Sequence, residues 1–208
     1  MLGRVDLIRS VLNCYKNPSY LEIGYGNGFC FNQMICKDKI CVDPNPYVPE
    51  KFYNNQQCIK KTSDDFFASN TKMFDVIFID GDHSYDAVKR DFYNSIKFLK
   101  ENGKIILHDC NPQNKWMCRP SSEFFPEKGE PWNGDGGYKL LMELYQKEEN
   151  FVWSTSNEDQ GCCVVKRGSR VKIDIAEKDN DSYELFDKYR KEILNLKNIE
   201  EMIVNCCN

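Results

Sequence analysis

Tyr20-Leu-Glu-Ile-Gly-Tyr-Gly-Asn-Gly28 decides how this chain is read. A short apolar run carries one acid, Glu22, two residues before the first of three alternate glycines, Gly24, Gly26 and Gly28. Glycine is used where backbone turns sharply or meets a ligand without a Cβ in the way. A strand ending in such a turn, with a helix starting behind it, makes a nucleotide-sized crevice at the carboxyl edge of an α/β sheet. Dinucleotide sites space their glycines G-x-G-x-x-G. Phe29 stands where the third glycine would be, which disfavours an NAD-dependent oxidoreductase.

Outward from this stretch, strand-like runs recur at Ser19–Ile23, Lys39–Val42, Cys58–Lys60, Val76–Ile79, Lys104–Leu107, Phe151–Ser154 and Cys162–Lys166. Helical spacing separates several of them. It is clearest over Tyr85–Leu99, with Val88, Phe92, Ile96 and Leu99 on one face, and over Gly137–Gln146. A leading helix carries Val5, Ile8, Val11, Leu12 and Tyr15, and Asn17-Pro18 ends it. Alternating strands and helices predict a mainly parallel sheet covered on both faces. Only Thr155–Gly161 joins the last two strands, too short for a crossover helix, so they form an antiparallel hairpin. The expected organisation is one α/β domain over residues 1–168, with Asn111–Gly136 as a substrate-side loop, and a C-terminal amphipathic helical extension over 169–208. That tail carries Phe186, Tyr189, Ile193, Leu196, Ile199 and Ile203. It packs on its own domain, or alternatively forms a homodimer.

Bulk composition narrows the class. The chain has 208 residues, 41% of them hydrophobic and 13% aromatic, which suits one packed domain. No apolar run is long enough to cross a membrane and no signal-peptide block opens the sequence, so a cytoplasmic location is expected. A net charge of −4 argues against nucleic acid. None of the 11 cysteines falls in a C-x-x-C spacing, and reduced, mostly buried thiols are expected, with the Cys206-Cys207 pair exposed at the tail.

Acids recur at the ends of successive strands. Asp43 ends the second, where a carboxylate takes both hydroxyls of a ribose. Thr62-Ser-Asp-Asp-Phe-Phe67 follows the third, where a short polar side chain reaches an adenine edge. With Phe74-Asp-Val-Ile-Phe-Ile-Asp-Gly-Asp-His-Ser-Tyr-Asp86 and Gly103-Lys-Ile-Ile-Leu-His-Asp109, the chain over roughly residues 19 to 167 resembles a class I S-adenosylmethionine-dependent methyltransferase. The combination is similar to the branch that O-methylates sugars and other small hydroxylated metabolites. Trp132-Asn-Gly-Asp135 agrees with it, although a bulkier residue often stands near Gly136 or Gly137 there.

The resemblance implies a Rossmann-like seven-stranded sheet ending in an antiparallel hairpin. It implies S-adenosyl-L-methionine held by Glu22, Gly24, Tyr25, Gly26, Gly28, Asp43, Ser63, Asp64 and Asp80. It implies Mg²⁺ or another divalent ion on Asp80, His108 and Asp109, with His108 and Cys110 as departures from an all-oxygen set. The acceptor would be a sugar or glycan hydroxyl; the alternatives are another small molecule, or a non-catalytic cofactor-binding partner protein. A nucleic-acid amino-methyltransferase would carry an Asn/Asp-Pro-Pro-aromatic tetrapeptide where this chain has Asp80-Gly-Asp-His83.

The residues also speak for themselves. Only two histidines occur, His83 and His108, each beside aspartates at a strand end. An alcohol is a poor nucleophile until its proton is taken by a general base or acidified by a metal ion. Asp82, His83 and His108 are the catalytic candidates, with Asp82 or His83 as the base. Ser84 is placed to cap the helix that follows, with Asp82 and Asp86 favouring its N-terminal dipole. Trp116, Phe124, Phe125 and Trp132 supply either a stacking face for a sugar ring or an anchor for the loop.

Overall fold

The computed structural model describes residues 2–46, 58–124, 129, 131–170, 175 and 181–207. Its centre is one sheet of eight strands in the order β3-β2-β1-β4-β5-β7-β6-β8. The strands are β1 (Ser19–Ile23), β2 (Asp38–Val42), β3 (Cys58–Ile59), β4 (Phe74–Ile79), β5 (Leu99–Leu107), β6 (Phe151–Ser156), β7 (Cys163–Arg167) and β8 (Leu196–Lys197). The first five are parallel, and β7 runs antiparallel to both β5 and β6. This is the expected sheet with an eighth strand added. β8 comes from the tail and pairs parallel with β6.

Strand pleat sends alternate residues to opposite faces. Leu21 and Ile23 join Ile77, Ile79, Ile105 and Leu107 in a core under α3 (Tyr85–Lys97) and α4 (Gly136–Lys147). Tyr20 joins Val76, Phe78 and Ile106 in a second core under α1 (Arg4–Leu12) and α7 (Ile199–Asn205). Burial on both faces is what makes these strands read as nearly continuous apolar runs. Chain order reverses between β1 and β4, so the crevice at their carboxyl ends is the switch point where open α/β sheets bind ligands.

Four expectations are corrected. Behind the glycine turn stands a single 3₁₀ turn, Phe31–Gln33, rather than an α-helix. Leu99 begins β5 and pairs with Phe74 instead of ending α3. The tail is broken into α5 (Tyr183–Lys188), α6 (Arg190–Leu194), β8 and α7, because Asn195 takes a left-handed conformation that ends α6. Phe186, Ile193 and Ile199 are buried within their own chain. Finally, Cys207 is disulfide-bonded to Cys14, whereas Cys41, Cys162 and Cys163 are the buried free thiols expected.

Candidate active site

The backbone ladder runs one residue past the strands and aligns the site. Asp43 N donates to Ile59 O, Gly24 N to Val42 O, Asp80 N to Ile23 O, and His108 N to Ile79 O. Asp43, Gly24, Asp80 and His108 therefore stand in a row along the carboxyl edge. Gly24 has φ +91, and a Cβ there would lie 2.1 Å from the Asp80 carbonyl oxygen. Only glycine lets the turn close against β4. Gly26, at φ +52, would meet nothing within 4 Å, so its face is open to a ligand.

On the cofactor side Asp43 braces the turn. Its Oδ2 accepts from Tyr25 N (2.9 Å) and Gly26 N (3.0 Å), and its Oδ1 from Asn45 N (2.7 Å). A carboxylate has about four lone-pair sites, two on each oxygen, so with these three bonds made Oδ1 keeps one for a hydroxyl. The Tyr25 ring is buried, edge-on to Phe31, and its hydroxyl end packs under Gly28, where a Cβ would lie 2.5 Å away. Glu22 is buried beneath the crevice, accepting from Tyr20 Oη at 2.5 Å and from the Phe31 backbone. Burial pushes its carboxyl up to about 8, and the Asp80 charge adds to this against the Tyr20 hydrogen bond. Glu22 shapes the turn from behind. Ser63 opens α2 (Ser63–Ser69) and bonds Asp91, while Asp64 meets Arg90 at 3.3 Å and Asn94 at 3.4 Å. Both tie α2 to α3 near the end of β3.

The far strand ends bring Asp80, His83, His108 and Asp109 together. Asp109 adopts φ +57, a left-handed conformation costly for a non-glycine residue and a marker of functional sites. Its Oδ2 lies 2.9 Å from His83 Nδ1 and 3.1 Å from His108 Nδ1. The Asn133 carbonyl is 3.2 Å from the same nitrogen of His83. Two acceptors therefore keep the proton on Nδ1 and leave the Nε2 lone pair free. Asp80 Oδ1 stands 3.9 Å from that Nε2, beyond hydrogen-bond reach. Burial lowers the His83 pKa, but the Asp109 hydrogen bond and charge, with Asp80, raise it above its ordinary value.

His108 is held differently. Its Nδ1 faces Asp80 (3.1 Å) and Asp109 (3.1 Å), and its Nε2 faces the Asp159 carbonyl (3.0 Å) and carboxylate (3.4 Å). These partners accept, whereas Arg4 Nη1, a donor, lies 2.5 Å from Nε2; the surrounding carboxylates favour a positive charge on the ring. Burial opposes that charge; Asp80, Asp109 and Asp159 outweigh it and hold the His108 pKa well above the ordinary value. Asp80, His83 and Asp109 offer atoms within 4.8 Å of one another, and so do His108, Asp159 and Cys162. Arg4 Nη1 lies within 3.1 Å of both His108 nitrogens and 3.3 Å from Asp159 Oδ1.

Asp82 is exposed and accepts from Ser84 N at 2.8 Å, outside the hydrogen-bonded cluster. The Ser84 hydroxyl makes no cap bond; Asp135 Oδ1 instead accepts from Tyr85 N at 3.0 Å. Among the loop aromatics the anchor role prevails. Trp132 is stacked between His83 (4.6 Å) and Phe124 (4.5 Å), and its Nε1 donates to Arg119 O. Trp116 is exposed under Arg119, and Phe125 lies outside the described residues. Arg4 and Asp159 belong to the site but were not singled out by sequence, and Asn133 was quoted only within Trp132-Asn-Gly-Asp135; for Asp159 the signal was the short turn of the terminal hairpin.

Residues 21–110 match the family model described as a methyltransferase domain. The structure is similar to that of the Podospora anserina methyltransferase PaMTH1 bound to S-adenosylhomocysteine, at 15% identity, a TM-score of 0.58, and coverage of 81% of this chain and 80% of that one. It is also similar to a Bacillus cereus O-methyltransferase in complex with S-adenosylhomocysteine (15% identity, TM-score 0.50, 79% of each chain). A third likeness is to MycE of the mycinamycin biosynthetic pathway, with Mg and S-adenosylhomocysteine (16% identity, TM-score 0.50, 82% of this chain and 50% of that chain). No curated protein matched. Residues 21–110 thus match a methyltransferase domain, and the strand order and glycine turn give the chain the Rossmann-like fold of these structures.

Proposed function

We propose that the chain transfers a methyl group to a hydroxyl of a sugar or glycan, with His83 as the general base. The observation that carries this is the free Nε2 of His83, whose opposite nitrogen is fixed by Asp109 and Asn133. Methyl transfer from a sulfonium is an in-line displacement in which the leaving group is already activated. What remains for the protein is to place the acceptor oxygen near the methyl carbon and to take its proton. His83 takes the proton at Nε2, and Asp109 stabilises the imidazolium that results. Asp80, held well below the usual carboxylate range, sits between cofactor turn and base: burial opposes its charge, and His108, His83 and Arg4 overcome this.

A cleft of about 240 Å³ beside His83 is lined by Ser84, Arg119, Ser121, Trp132 and Asp135. Ser84, Arg119, Ser121 and Asp135 offer hydrogen-bonding groups to a hydroxylated acceptor beside the apolar Cys118, Pro120 and Trp132, and Trp132 is already stacked on His83 and Phe124, which disfavours its use for a planar phenol. A divalent cation also fits the residues present. Asp109 Oδ1 and Asn133 Oδ1 are buried without a hydrogen-bond partner among the described residues. Asp80, Asp109 and His83 would hold such an ion, which would acidify the acceptor hydroxyl; Asp82, which lines the small pocket these three share, is then the base. A cytoplasmic location goes with this reading; among the described residues no helix is long and apolar enough to cross a membrane.

Incubation of glycan and metabolite pools with isotopically labelled S-adenosylmethionine, read by mass spectrometry, tests the acceptor class. Label in a sugar ether supports the reading, and label confined to phenols overturns it. Activity that survives exhaustive EDTA treatment removes the cation and leaves His83 as the base.

A further inference from the structure

Away from the site, the two ends of the chain meet. α1 packs against α7, and three sulfurs converge there: Cys14 just after α1, and Cys206 and Cys207 just after α7. Cys14 and Cys207 are bonded, and Cys206 Sγ lies 3.5 Å from the Cys14 sulfur and 3.9 Å from that of Cys207. Thiol–disulfide exchange needs the attacking thiolate along the axis of the bond it breaks. Near-equal distances put Cys206 beside that bond instead, so the third sulfur is badly placed for exchange. It is well placed to share a ligand. Thiolates about 2.3 Å from one tetrahedral ion stand about 3.8 Å apart, the spacing Cys206 already has to both neighbours.

The charge around the cluster agrees. Lys104 is 7% exposed, beside Tyr15, and no carboxylate pairs with it among the described residues. It lines a cavity of about 330 Å³ that Cys206 also lines. A buried ammonium without a counterion is costly. Three thiolates around a divalent ion carry one net negative charge, which Lys104 would neutralise.

We propose that Cys14, Cys206 and Cys207 form a binding site for a thiophilic closed-shell cation such as Zn²⁺, available only when the Cys14–Cys207 bond is reduced. Opening takes two electrons and two protons from a dithiol, which becomes a disulfide, and yields two cysteine thiols. The ion then binds three sulfurs, which release their protons to solvent, and the exposed side of Cys207 leaves the fourth position to water. The same three sulfurs thus staple the termini in one redox state and chelate in the other.

Protein reduced with a phosphine and desalted under argon is titrated with Zn²⁺ against a chromophoric chelator. One equivalent should bind, at least tenfold more weakly in Cys206→Ser and not at these cysteines in the oxidised protein. Co²⁺ should give sulfur-to-metal charge-transfer absorption in the reduced wild type, a signature the Asp80–His83–Asp109 cluster cannot produce, and Cys206→Ser should lose much of it. Equal Zn²⁺ affinity and equal Co²⁺ absorption in wild type and Cys206→Ser would overturn the proposal. Cys206 lies outside the disulfide, so this variant keeps the staple, and circular dichroism confirms its fold.

Discussion

At the scale of single residues, two histidines a few ångströms apart have been given opposite tasks by their surroundings. His108 is ringed by Asp80, Asp109, Asp159 and Arg4, and the carboxylates hold its pKa well above the ordinary value, whereas His83 meets acceptors on one nitrogen only. A base must be unprotonated, so kcat/KM should rise with pH through an ionisation above the ordinary histidine value of about 6.5. Asp109→Asn removes the largest contribution raising His83, so the rising limb of the pH–rate profile should move to lower pH while the maximal rate falls. Glu22 gives a second pH effect. Its folded pKa, about 8, lies above that of the unfolded chain because burial disfavours its charge. The stability it contributes is therefore complete below about 4.5 and lost as pH rises through about 8. Thermal unfolding midpoints at pH 5 and pH 9 should show a larger loss in the wild type than in Glu22→Gln. The sequence offered His83 as a base candidate, but it displays an acid or a histidine and not which of its atoms are already engaged, so the choice of His83 over Asp82 and the burial of Glu22 escaped it.

At the scale of elements, the segment from Asn111 to Gly136 works as a clamp on the base. The Phe124–Trp132–His83 stack joins loop to cluster, and Asn133 adds its carbonyl. Trp132→Ala should cut kcat by about 10- to 100-fold with little change in S-adenosylhomocysteine affinity, the split expected when a base loses its position. Gly137 lets α4 start against β5, since a Cβ there would lie 2.8 Å from Asp109 O and 3.0 Å from Cys110 Cα. Gly137→Val should cost on the order of 1–3 kcal/mol, measurable by urea denaturation, and displace Asp109 as well. The strands were legible because two-sided burial writes itself as apolar runs ended by acids. The tail was not. Apolar residues such as Phe186, Ile193 and Ile199 fit one helical stripe, yet the left-handed Asn195 breaks it and frees Leu196–Lys197 to join the sheet.

At the scale of the whole molecule, the order of strands makes the site. Crossing from β1 to β4 places the glycine turn against Asp80, and the terminal hairpin returns Asp159 to His108. Asp159 also accepts from the Arg4 backbone at 2.7 Å, so the first helix is pinned to the same edge. Contacts of this kind join positions from 51 to 155 residues apart in sequence and leave no local pattern to read. The Cys14–Cys207 bond closes nearly the whole chain, with a sequence separation of 193. Cys14→Ser should lower unfolding stability by about 2–4 kcal/mol under oxidising conditions and leave it unchanged under reducing ones.

The most direct test of the central claim compares wild type with His83→Ala in transfer of labelled methyl from S-adenosylmethionine to a hydroxyl acceptor, with S-adenosylhomocysteine affinity measured in parallel. The account predicts a loss of about 10²- to 10⁴-fold in turnover with cofactor affinity held within a few-fold. Turnover undiminished in His83→Ala would contradict it.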